Sequence, residues 1–69
     1  MSLEIMSKLK FNQATGLHTI IEGGFRYEFP QSLLGNFKIF ILRYDFVSRW
    51  YKHLSDDDKN KVLRTNAYE

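Results

Sequence analysis

The sequence predicts an α+β fold: a small antiparallel β-meander of three or four strands, with one amphipathic helix and a short C-terminal helix on one face. Three observations carry this. Residues 17–29 hold two runs of strand composition, separated by Gly23-Gly24. Residues 44–54 change to a helical period, with rings and aliphatics on one arc of the wheel and charges on the other. "SDDD", Ser55 to Asp58, then has the composition of a helix start.

"KLKFN" (Lys8 to Asn12) alternates charge with Leu9 and Phe11 and reads as a first strand with one buried face. "QATG" has turn composition. "LHTIIE" (Leu17 to Glu22) and "FRYEF" (Phe25 to Phe29) follow as two strands of a hairpin, because both glycines between them can adopt positive φ. A two-residue turn sets Glu22 against Phe25, Ile20 against Tyr27 and His18 against Phe29. Those six share one side of the sheet, and Leu17, Thr19, Ile21, Arg26 and Glu28 take the other. Pro30 ends the third strand. "PQSLLG" reads as one helical turn closed by Gly35, with a second hairpin through Gly35-Asn36 as the other option.

Phe37 to Leu42 is apolar on both sides and reads as a strand, with Tyr44 to Leu54 as the helix after it. Tyr44, Phe46, Val47, Trp50, Tyr51 and Leu54 then form one inward face; Asp45, Ser48, Arg49, Lys52 and His53 form the other. The rival is one long helix from about Asn36, which would put Arg43 in the apolar arc. Ser55 is an N-cap with Asp58 at capping-box spacing, three carboxylates suit the positive end of a helix dipole, and Asp57 and Lys61 form an i,i+4 pair. The 69 residues make a single domain, with residues 1–6 and 65–69 expected to fray.

Composition narrows function. Cysteine is absent, which removes disulfides and thiolate metal sites. No apolar run approaches the ~18 residues of a membrane span, and "MSLEIMSKLKF" lacks the continuous apolar core of a signal peptide. A cytoplasmic protein without membrane contact is the expectation. No catalytic residue, metal site or cofactor is expected. His18 reads as a packed histidine with a backbone partner; His53 beside Asp56 to Asp58 reads as part of a helix junction, because consecutive carboxylates point around an axis and do not converge. Glu22 and Glu28 fall on opposite faces, too far apart in orientation for an acid/base pair.

Two binding classes remain. A helix of about 16 Å covers one sheet face only. Leu17, Ile21, Phe40 and Leu42 are therefore expected on the uncovered face as an interface. That describes a non-enzymatic interaction protein, a homodimer or the partner of another protein, acting as a regulator or inhibitor by binding a macromolecule. The alternative is a nucleic-acid-binding module using Lys8, Lys10, Arg26, Lys38, Arg49 and Lys52, compatible with a net charge of +2 and a pI near 9.0.

Overall fold

Gly23 and Gly24 fix the register of the sheet. In the computed structural model, which describes residues 3–44 and 46–68 with side chains from residue 5 onward, both glycines have positive φ, 60° and 84°. A Cβ on Gly24 would also stand 3.2 Å from the Tyr68 ring. The turn joins β2 (Leu17–Glu22) to β3 (Phe25–Pro30), with Glu22 opposite Phe25, Ile20 opposite Tyr27 and His18 opposite Phe29, as the turn length demands. β1 (Lys10–Asn12) pairs with β2 across a turn in which Asn12 Oδ1 accepts from the Ala14 N–H at 2.9 Å. β4 (Leu63–Asn66) pairs with β3, giving the antiparallel order β1-β2-β3-β4. The α+β meander expected from the sequence is the fold.

The fourth strand is not the expected one. Phe37 to Leu42 lies inside α2 (Leu34–Tyr44), entered through a 3-10 turn at Gln31–Leu33. Gly35 sits within α2 instead of closing that turn. The reason lies in which residues the core takes. Phe37 and Ile41, one helical turn apart, are fully buried, while Ile39 and Leu42 remain 67% and 70% exposed. A run apolar on every side carries no period from which to read this choice.

The helix expected over Tyr44 to Leu54 is shorter. α3 spans Val47–His53, Tyr44 ends α2, and Phe46 between them is extended at φ −130°, ψ 120°. A continuous helix would carry the Phe37–Ile41 stripe on to Ser48 and Lys52, which share their phase at 3.6 residues per turn. The break rotates Val47, Trp50 and Leu54 into the core instead. Trp50 meets Phe37 edge-on at 4.9 Å and Phe29 at 5.0 Å, and its indole N–H donates to Asn36 Oδ1 at 2.7 Å. One ring thus ties the sheet, α2 and α3 together. Phe46 provides no side-chain cap. Glu22 supplies an acceptor from the end of β2: its Oε1 accepts from the Val47 N–H at 2.9 Å, at the helix end where a negative charge is favoured.

Ser55 caps α4 (Asp56–Lys59) as expected, its Oγ accepting from the Asp58 N–H at 3.2 Å. The helix stops at Lys59, so Lys61 meets Asp58, at 3.8 Å, in place of Asp57. Val62 is buried, and Leu63 opens β4. In the segments expected to fray, Thr65 and Asn66 lie opposite Arg26 and Phe25 in β4, and Ile5, in α1 (Leu3–Lys8), is 5% exposed in the core. Residues 1, 2 and 69, also expected to fray, lie outside the described residues. Among the described residues no helix is long and apolar enough to cross a membrane, and no group of three or more His, Asp or Glu could hold a metal ion.

Replacing Glu22 by Ala should cost about 1–2 kcal/mol, the value of a capping acceptor, or several degrees of melting temperature in a domain of this size. Glu22→Gln should lose less, because it keeps an acceptor and gives up only the charge. Thermal unfolding followed by circular dichroism checks both, with Gln13→Ala in the exposed β1–β2 turn as a neutral reference.

Candidate functional site

The break between α2 and α3 decides which rings reach the surface. Tyr44 and Phe46, expected inward, are 42% and 56% exposed. Tyr44 lies one turn after Phe40 and packs on it at a tilt of 38°, centroids 4.6 Å apart; Phe40 in turn meets His53 at 5.4 Å. The Arg49 guanidinium lies 5.8 Å from the Tyr44 ring and 5.9 Å from the Phe46 ring. Four rings and one guanidinium follow one another along this line, from His53 through Phe40, Tyr44 and Arg49 to Phe46.

Two shallow recesses flank it. One, of about 400 Å³, is lined by Phe46, Ser48, Arg49, Lys52 and His53. The other, of about 310 Å³, is lined by Asn36, Ile39, Phe40, Arg43 and Tyr44. Among the described residues, three cations line the two recesses and no carboxylate does. None of Arg43, Arg49 and Lys52 forms an ion pair with a described residue. Asp45, expected on the polar face of this helix, lies outside the described residues.

A second ring–cation cluster sits against Tyr51 of α3. Arg64 of β4 stacks on both Phe25 (4.7 Å) and Tyr51 (4.8 Å), and Lys59 lies 5.9 Å from the Tyr51 ring. Beneath it Tyr27 is 1% exposed, 6.0 Å from Tyr51, and its hydroxyl has no hydrogen-bond partner among the described residues. Burial pushes the Tyr27 pKa above its usual 10.0, and the neighbouring Arg64 only partly opposes this.

The sequence-predicted site residues divide between two surfaces. Leu17 (half-buried) and Ile21 (49% exposed) lie on the sheet face away from α2 and α3, as expected. Phe40 and Leu42 do not join them, because their segment is α2: Phe40 packs half-buried in the ring line, and Leu42 points outward. Of the six basic residues expected to act together, Lys10 and Arg26 are on the open sheet face, and Lys8 ends α1 beside a recess shared with Lys10, Thr19 and Ile21. Arg49 and Lys52 line the α3 recess; Lys38 is exposed on α2 and lines neither recess. The open face carries no aromatic residue among those described: its rows are Lys10–Thr19–Glu28–Leu63, Asn12–Leu17–Pro30 and Ile21–Arg26–Thr65.

Arg43, Tyr44, Phe46 and His53 are the site residues the sequence reading missed. The one signal was Arg43, whose charge sits in the apolar arc of any continuous helix. The remaining candidates are occupied by the fold. His18 is 7% exposed, lies between Phe11 (4.8 Å) and Phe29 (5.7 Å), and has its Nε2 at 2.6 Å from Gln31 Oε1. Its partner is a side chain, where a backbone group was expected. Compared with protein-family models, curated proteins and solved structures, the chain finds no match.

The Tyr27 environment has a pH signature. The unfolded chain releases this proton near pH 10, and the folded chain holds it to higher pH. The associated stability is fully present below the unfolded pKa and is lost as pH rises through the folded one. Denaturant midpoints should therefore fall above about pH 10, and Tyr27→Phe should flatten that fall. At neutral pH Tyr27→Phe should cost less than about 0.5 kcal/mol, since the hydroxyl it removes has no partner at full hydrogen-bond geometry among the described residues.

Proposed function

We propose that this protein is a non-enzymatic binding module that holds single-stranded nucleic acid across the outer surface of α2 and α3. The observation that carries this is Arg49 set between the two exposed rings of Tyr44 and Phe46. An exposed ring offers a face to any base, and a guanidinium beside it offers charge to the adjoining phosphate. Arg43 and Lys52 in the adjoining recesses extend that charge along a backbone. The chain's net charge of +2 favours the same ligand sign. His18 is committed to Gln31 and two rings, and the Ser55 hydroxyl to the Asp58 N–H, which supports a binding role over a catalytic one.

The binding residues in this reading are Arg43, Tyr44, Phe46, Arg49 and Lys52. Of the six basic residues named from the sequence, Arg49 and Lys52 belong to it; Lys8, Lys10 and Arg26 belong to the other side of the molecule.

Fluorescence anisotropy with short labelled DNA and RNA strands at low salt tests this. Affinity should fall with salt at a log–log slope of about −2, for three phosphate contacts at roughly 0.7 each. Tyr44→Ala and Phe46→Ala should each weaken binding roughly 5- to 100-fold, the worth of one base–ring stack. Lys10→Ala should leave it unchanged. Absence of binding at low salt, or binding that survives both ring substitutions, overturns the reading. Capture of an acidic peptide without any oligonucleotide would assign the surface to a protein partner.

A further inference from the structure

We infer that the open face of the sheet is an interface between two copies of this chain, related by a two-fold axis that runs parallel to β2. The sheet register defines the axis. Lys10, Thr19 and Glu28 stand side by side in one row across β1, β2 and β3. Leu17, Thr19 and Ile21 stand in one column along β2. Lys10 and Glu28 are therefore displaced from the column by one strand spacing each, about 4.8 Å, in opposite directions.

Rotation by 180° about an axis along that column, between two facing sheets, exchanges left and right but not the two ends. It sets Leu17 over Leu17 and Ile21 over Ile21, and it sets Lys10 of each copy over Glu28 of the other. An axis across the strands would instead set Lys10 over Lys10. The pattern of charge selects one symmetric arrangement and disfavours the other. Lys10, Arg26 and Glu28 form no ion pair with any described residue, so the charges are available for it.

The size of the face sets the strength. Six residues of β2 span about 20 Å and four strands about 15–20 Å, so each copy contributes on the order of 400 Å² and the pair about 800 Å², half of a standard interface. Arg26 of one copy also approaches the end of the face where Lys8 of the other lies beside Ile21, a like-charge contact at the rim. The pair is therefore weak, with a dissociation constant on the order of 10 µM to 1 mM. This interface is on the opposite side of the sheet from α2 and α3, so it stands or falls independently of the nucleic-acid reading.

Sedimentation velocity over a concentration series to the millimolar range tests it, with circular dichroism to verify folding. The wild type should pass from monomer to dimer. Ile21→Asp, at a half-exposed position, should weaken the dimer at least tenfold. Lys10→Glu and Glu28→Lys should each do the same alone. Mixed in equal amounts, those two charge variants should form a heterodimer of about wild-type strength, because both cross-pairs then join opposite charges again, one with its sign reversed and one as in the wild type. A wild-type monomer at every concentration overturns the inference, as does a dimer indifferent to Ile21→Asp. Failure of the mixed charge variants to associate overturns the proposed axis and, with it, the interface.

Discussion

Trp50 is the constraint on which the rest of the molecule depends. Its indole packs edge-on against Phe29 of the sheet and Phe37 of α2, and its N–H is spent on Asn36 of the same helix. α3 must therefore present Trp50 to a space that α2 already fills with Phe37 and Ile41. One continuous helix cannot do this, since the stripe that starts at Phe37 arrives at Ser48 and Lys52. The chain breaks helical geometry at Phe46, and Glu22 accepts the N–H that the new helix start leaves open. The cost appears on the outside: the two rings on either side of the break lose their inward position. Exposure of Tyr44 and Phe46 is thus a consequence of how the core is packed, and the ring–cation line at the surface is built from residues the core released.

The sheet contributes a different kind of order. Its helical side is consumed by packing, from Ile20, Tyr27 and Phe29 to the outer Phe25, whose ring carries Arg64. Its other side mixes apolar, charged and uncharged polar residues in regular rows, because the Gly23-Gly24 turn locks β2 to β3 in a single register. The two surfaces therefore face away from each other. In a pair joined sheet to sheet, both helical layers face outward, and a strand long enough to reach both would bind with the gain of a tethered second site. Weak pairing suits that arrangement, since the strand itself would raise the local concentration of the second copy.

Legibility in the sequence followed the strength of local rules. The hairpin was fully readable, because two residues that tolerate positive φ between runs of period two leave one register. Ser55 was readable for a similar reason: its cap acts within three residues. Phe37 to Leu42 was not, because six apolar or long side chains in a row carry no period, and the core's choice of Phe37 and Ile41 over Ile39 and Leu42 is made by Trp50 and Phe29 from elsewhere in the chain. β4 was missed because its residues are all exposed and owe their strand to pairing with β3. The surface site was least legible. Rings on a helical wheel are assumed to face inward, and the break that turns Tyr44 and Phe46 outward has no glycine or proline to announce it. It is held by Glu22, twenty-five positions upstream of Val47.

Under the proposed reading, the form of the surface also bears on which kind of nucleic acid would fit it. A duplex reader needs an element long enough to lie in a groove and side chains that reach base edges past the phosphates. α3 has seven residues, about 10 Å of helix, and the next helix begins with Asp56, Asp57 and Asp58, whose charge opposes phosphate. The rings exposed where α2 meets α3, Tyr44 and Phe46, gain most from unstacked bases and little from bases already stacked in a duplex. Arg49 lies within reach of both ring faces and leaves its remaining donors to a phosphate on either side. A flexible single strand can bring a base to Tyr44 and another to Phe46 and still lay its backbone along Arg43 and Lys52, whereas a rigid duplex meets the same rings only with its sugar–phosphate edge.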